Sequence, residues 1–131
     1  MSKAATPLST YDEYYNAIAT GTTIIKFSGE WCAPCKKIAK PFAAIAEEWQ
    51  TIKFHEIDID IVPEVAIKED ITAVPQFVCY YNGERLFNHV GGNEKQLREN
   101  ISSWLIYIDN KTPLLDDPSV DKLSSILSED V

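Results

Sequence analysis

The stretch Trp31-Cys32-Ala33-Pro34-Cys35 lies where two hydrophobic periods meet, and that junction limits what the chain can become. Before it, Ile24, Ile25 and Phe27 form a short apolar run of strand character; after it, Ile38, Phe42, Ile45 and Trp49 recur at helical spacing. The next run, 52–59, alternates apolar and polar residues through Phe54, His55, Glu56, Ile57 and Asp58, and reads as a second strand. Strand, helix and strand in that order predict a right-handed crossover with the two strands as parallel neighbours. Cys32 then falls at a helix N-terminus, where unpaired backbone N–H groups and the positive end of the helix dipole favour the thiolate. The thiolate is the form that attacks a disulfide. Pro34 suits a first helical turn because its missing N–H has no intrahelical partner to lose. Cys35 begins that turn under Cys32, placed to resolve a mixed disulfide.

Two cysteines separated by two residues are redox chemistry, a metal half-site or coincidence, and the composition weighs against the second. A structural zinc site needs about four ligands, yet the third cysteine, Cys79, stands alone in an apolar run, and His55 and His89 are isolated in predicted strands. No metal and no bound cofactor are expected. Cys79 reads as a small buried apolar residue rather than a third redox group. Three cysteines do not make a disulfide framework, and a C-x-x-C beside a strand–helix–strand pattern reads as a redox pair in an intracellular protein. The net charge of −8 argues against nucleic acid and anionic membrane surfaces as partners. The first 15 residues lack a basic start and an apolar core, and no apolar run approaches the roughly 20 residues of a membrane span. A cytoplasmic location is expected.

The remaining elements follow in order. Residues 1–8 form an arm with room for an edge strand, limited by Pro7. Thr10-Tyr11-Asp12-Glu13 has the capping-box pattern, and Tyr11, Tyr14, Tyr15 and Ile18 give the helix after it an apolar stripe that Gly21 ends. The helix from about 34 to 49 carries Pro41, which removes a hydrogen bond and bends it. A short helix is predicted over 63–68. Strands over 76–81 and 85–90 are joined by Asn82-Gly83-Glu84, a hairpin signal because Asn-Gly tolerates positive φ. Gly91-Gly92 closes the sheet, and a last helix starting at 93–96 carries the stripe Leu97, Ile101, Trp104, Leu105 and Ile108.

The segment Phe27-Ser28-Gly29-Glu30-Trp31-Cys32-Ala33-Pro34-Cys35-Lys36 resembles the active site of the thioredoxin family, and the element order over residues 3 to about 108 agrees with it. The resemblance implies an α/β thioredoxin fold, a central mixed sheet of four to five strands with helices on both faces. It implies a protein-disulfide reductase that cycles between the dithiol and disulfide forms of Cys32 and Cys35. Its partners would be disulfide-containing proteins and a thioredoxin-reductase-like electron donor, with the chain acting as a monomer. By the same resemblance Trp31 flanks the reactive sulfur, Ala73-Val74-Pro75 is the loop whose cis-proline packs against the cysteines, and the backbone of Val74 takes an extended substrate segment by strand addition. Ile59, Val90 and Gly91 complete the shallow apolar groove, with a core role open for Ile59.

The chain departs from the family at Lys26, where a buried carboxylate is usual, and at Glu56, where lysine is frequent. The two charges look exchanged, and an inverted ion pair beneath the cysteines is expected. A charged Lys26 would stabilise the thiolates and the reduced form, making the disulfide a better oxidant; alternatively, Glu56 neutralises it or takes over as proton acceptor, or Lys26 snorkels to solvent and touches no chemistry. Ala33 replaces a commoner glycine between the cysteines, another tuning position together with Pro34 and Pro75, and Ser28-Gly29 replaces a frequently aromatic-Ala pair. Oxidase or isomerase chemistry, and a binding subunit without turnover, are the alternatives to reduction. Residues 1–108 are expected to form the domain. The extension 109–131 carries six acids and two lysines, half the net charge; Pro113 and Pro118 interrupt it, and Val120, Leu123, Ile126 and Leu127 predict one short amphipathic helix.

Overall fold

In the computed structural model, which describes residues 5–116 and the side chains of 5–110, a mixed five-stranded sheet has the order β1-β3-β2-β4-β5. The strands are β1 (Thr6–Pro7), β2 (Thr22–Ser28), β3 (Lys53–Asp58), β4 (Gln76–Tyr81) and β5 (Glu84–Val90). β3 runs parallel to both β1 and β2, and β4 is antiparallel to β2 and β5. The helices are α1 (Tyr11–Ile18), α2 (Ala33–Lys37), α3 (Ala39–Glu48), α4 (Pro63–Lys68) and α5 (Glu94–Asp116). Pro7 keeps β1 to two residues at the sheet edge, where a missing N–H does least harm.

Strand alternation sorts the core into two layers. Ile25, Phe27, Ile57, Val78 and Tyr80 turn toward α1 and α4, where they meet Tyr14, Ile18 and Val65. Their neighbours of opposite parity serve the other face: Phe42 of α3 packs against Phe54 and Phe77 with ring centroids 5.6 and 5.1 Å away. Lys26 and Ser28 belong by parity to this second face, the face of the cysteine-bearing helix. The parallel register sets Lys26 directly beside Glu56.

Local signals explain the ends of these elements. Thr10 caps α1 by accepting from Glu13 N at 3.1 Å, and the Glu13 carboxylate reaches back to Ser9 N at 2.6 Å. Tyr15, expected in the buried stripe, is instead 61% exposed and stacks on Tyr11. Asn82 and Gly83 both have positive φ, 51° and 87°, the two-residue turn that matches strand twist. The long helix after the motif is interrupted at Ile38, between α2 and α3 and one turn ahead of Pro41, because a proline's lost hydrogen bond and ring clash fall on the carbonyl four residues earlier.

The described residues divide into compact units at Arg98/Glu99. The first holds the sheet, α1–α4 and the opening of α5, where Asn93 Oδ1 accepts from Gln96 N at 2.9 Å. The second holds the rest of α5, with Ile101, Trp104 and Ile108 buried at helical spacing and Leu105 only half-buried. The helix does not stop near 108 but continues to Asp116, past Pro113. A proline removes one hydrogen bond, here to residue 109, and need not end a helix. The amphipathic segment expected around Val120 to Leu127 lies outside the described residues. No helix among the described residues is long and apolar enough to cross a membrane.

Candidate active site

β2 delivers the chain to the motif, and α2 begins one residue after Cys32. Cys32 is the N-cap, with extended backbone (φ −92°, ψ 108°), so its sulfur points back over the first turn. There it accepts from Cys35 N at 3.1 Å, while Lys36 N donates to the Cys32 carbonyl at 3.2 Å. Cys32 and Cys35 form a disulfide, their Cα atoms 5.3 Å apart, within the ordinary span for such a bridge. In this oxidised form Cys32, expected nearer solvent, is 4% exposed against 2% for Cys35. Ala33 and Pro34 are exposed on the first turn of α2.

The loop before β4 closes one side of the bridge. Val74-Pro75 is a cis peptide bond, the Val74 carbonyl oxygen lies 3.7 Å from Cys32 Sγ, and Pro75 O accepts from Gly91 N at 2.8 Å. Gly91 has φ 112°, a region that favours glycine. Gly92 touches the motif itself: a β-carbon there would sit 3.4 Å from Pro34 O. Ala73 and Val90 are exposed, and Val74 is half-buried. Ile59 is half-buried against the α1–α4 core, while Ile61, two residues on, is 63% exposed.

Trp31 is 65% exposed yet held, its Nε1 donating to Asp60 Oδ2 at 2.7 Å. The indole lies over Gly29, where a β-carbon would come within 2.8 Å of the ring. Gly29→Ala is therefore expected to displace the indole and break its bond to Asp60, seen as a shift of the Trp31 indole N–H resonance. An unmoved resonance would show that the ring does not depend on this seat.

Beneath the motif the structure brings Lys26 and Glu56 together. Lys26 is 2% exposed, and its ammonium donates to the Cys35 carbonyl at 2.9 Å and lies 3.5 Å from Glu56 Oε2. Ser28 Oγ donates to the same carboxylate oxygen at 2.8 Å. Lys26 thus touches the backbone of the second cysteine where the helix is about to break. Asp60 and Gly92 were not singled out from the sequence as site residues, and Ser28-Gly29 was noted only as a departure from the family's aromatic-Ala pair. Gly92 signalled only the end of a strand, while Gly91 was placed in the groove by resemblance, and an aspartate in a turn carries no mark of the indole it will hold.

The other titratable candidates lie elsewhere. Cys79 is buried in β4 outside the bridge, and burial pushes its thiol up to about 12, which leaves it a poor nucleophile. His55 and His89 are held below the ordinary imidazole range, chiefly by burial. No group of three or more His, Cys, Asp or Glu among the described residues is arranged to hold a metal ion.

Residues 5–103 match the family model named Thioredoxin. Thioredoxin-2 of Saccharomyces cerevisiae is 32% identical over 100 residues, 75% of this chain and 96% of its own. Thioredoxin of Gallus gallus is 31% identical over 103 residues, 79% of this chain and 98% of its own. A solved structure of Plasmodium falciparum thioredoxin superposes with a TM-score of 0.75 at 31% identity, covering 76% of this chain and 99% of that one. Neither oxidase or isomerase chemistry nor a binding subunit without turnover is favoured beside these relatives. The chain belongs to the thioredoxin family and is a thiol–disulfide oxidoreductase, a protein-disulfide reductase with the Cys32–Cys35 pair at its centre.

Proposed function

We propose that Cys32 attacks the disulfide of a protein substrate, that Cys35 displaces the reduced product, and that a thioredoxin-reductase-like donor returns the pair to the dithiol. The observation that carries this division of labour is the hydrogen bond from Cys35 N to Cys32 Sγ at 3.1 Å, a donor aimed at the sulfur that must hold negative charge. Trp31, Ala73, Val74, Pro75, Val90 and Gly91 are the substrate-facing groups, with Val74 offering its backbone to an extended segment. Ile59 contributes mainly by supporting that surface from the core side. The cytoplasm, where thiols are kept reduced, suits this cycle. The working unit of this reading is a monomer. Reduction of insulin coupled to NADPH and a thioredoxin reductase tests the reading: sustained NADPH oxidation that depends on the protein is expected, and none would contradict it.

Lys26 tunes the pair. A cation against Cys35 favours the dithiolate side of the couple, so the disulfide is a stronger oxidant than it would be above an acid. Lys26→Asp is expected to lower the midpoint potential by about 30 mV or more, measured by equilibration against a dithiol buffer. An unchanged potential with unchanged thiol titration would remove Lys26 from the chemistry.

A further inference from the structure

The helix face that starts one turn beyond Cys32 carries lysines and no acid. Lys36 and Lys37 end α2, and Lys40 lies in the first turn of α3; no aspartate or glutamate occurs between Glu30 and Glu47, in a chain whose net charge is −8. Their side chains are exposed, while Cys35, Ile38 and Phe42 are buried. Lys40 is the helical neighbour of both other lysines, at spacings where like charges repel. Lys26, Lys68, Arg85 and Arg98 each have a carboxylate partner, and among the described residues Lys36, Lys37 and Lys40 have none. The nearby acids are engaged: Glu48 of α3 and Glu94 of α5 are held by Arg98 at 2.6 and 2.9 Å, Glu56 by Ser28 and Lys26, and Asp58 by Asp60 N. Helix stability does not account for the lysines. The dipole favours cations at the end of α2 and disfavours them at the start of α3, and here the two ends adjoin.

We propose that Lys36, Lys37 and Lys40 dock an acidic stretch of the protein substrate and so select disulfides flanked by carboxylates. The inference deepens the reading that Cys32 attacks protein disulfides and rests on it. The lysines follow Cys32 by four, five and eight positions, about 6–12 Å along the helix at about 1.5 Å per residue. An extended segment advances about 3.3 Å per residue, so the carboxylates that reach them stand roughly two to four residues from the substrate cysteine. Lys36 and Lys37 lie within about one Debye length of the reacting sulfur at physiological salt, about 8 Å. Beyond that length the charge of the whole chain is screened, and the local cations set the sign that a docking segment meets. Exposed charges of this kind act on association and on its salt dependence.

Synthetic peptides test this, each joined through a single cysteine to a pyridinethiol whose release is read by absorbance, with glutamate, glutamine or lysine at those flanking positions. At about 0.15 M salt the reduced full chain is expected to cleave the glutamate peptide about fivefold to tenfold faster than the glutamine peptide, and the lysine peptide more slowly still. The advantage should vanish near 1 M salt, where the Debye length falls to about 3 Å. Glutamates moved to about ten residues from the cysteine should gain nothing, being roughly 33 Å away in an extended segment. With Lys36→Gln, Lys37→Gln and Lys40→Gln combined, the glutamate peptide should lose its advantage while the glutamine peptide keeps its rate within about twofold, which shows the cysteine pair intact. The salt and position arms are read on the wild type and do not depend on that variant folding. A glutamate peptide no faster than the glutamine peptide in the wild type overturns the proposal, as does an advantage that survives in the combined variant, at the distant position or near 1 M salt. A wild type that leaves the glutamine peptide uncleaved would instead defeat the reading on which the proposal rests.

Discussion

Cys32→Ser is expected to abolish reductase-coupled insulin reduction, a loss of about a thousandfold or more, because no other group supplies the attacking sulfur. Cys79 cannot substitute: it lies in β4 outside the bridge, and burial pushes its thiol up to about 12. Cys35→Ser is expected to fail differently. Its Cys32 still sits at the N-cap and still receives the backbone N–H of position 35, so attack continues while release stops. The protein should accumulate as a mixed disulfide with its substrate, visible as a mass increase that dithiothreitol removes. Turnover surviving in Cys32→Ser would place the chemistry elsewhere.

Glu69→Ala is expected to destabilise the fold by about 3–5 kcal/mol, a large share of the roughly 5–15 kcal/mol that holds an ordinary domain together. The carboxylate is buried at the end of α4, accepting from the Tyr14 hydroxyl of α1 at 2.8 Å and the Tyr80 hydroxyl of β4 at 2.9 Å. Its removal strands two buried donors at once. Arg85 of β5 donates to the Glu69 carbonyl at 2.6 Å and lies 3.3 Å from the carboxylate; that pair is a third exposed on the arginine side and adds little. Urea unfolding followed by circular dichroism measures the effect, and a loss below about 1 kcal/mol would mean that water replaces the carboxylate. The same cluster sets an alkaline limit. Burial, reinforced by Glu69, raises both tyrosine hydroxyls above their ordinary range. The folded state therefore holds these protons longer than the unfolded chain. Stability from this source is intact below about pH 10, the unfolded tyrosine value, and is lost as pH rises beyond it.

The sheet was legible because each strand carried its own period and each connection its own stop. Ile24, Ile25 and Phe27, like Phe77, Val78 and Cys79, supply apolar side chains to both faces, and Asn82-Gly83 fixed the hairpin. The exchanged charges at Lys26 and Glu56 could be anticipated because a departure from a family pattern falls at a known register position, and the parallel register then sets those residues side by side. The Glu69 cluster was not legible. A glutamate at the end of a short helix ordinarily reads as solvated, and nothing local announces that Tyr14, 55 positions earlier, and Tyr80 will converge on it. Tyr15 illustrates the same limit, since a tyrosine fits the periodicity of a buried stripe and also tolerates solvent. Trp31 was placed at the motif by resemblance, but its anchor on Asp60 and its seat over Gly29 depend on a loop conformation that periodicity does not encode.

Competitive alkylation of the fully reduced protein at neutral pH, with the modified cysteine identified by peptide mass, tests most directly whether the start of α2 activates the sulfur at position 32. Cys32 is expected to react about ten times faster than Cys35 or a free cysteine, with Cys79 unmodified until the protein unfolds. Equal rates at Cys32 and Cys35, or a Cys32 no faster than the free amino acid, would contradict the assignment of the attacking thiolate.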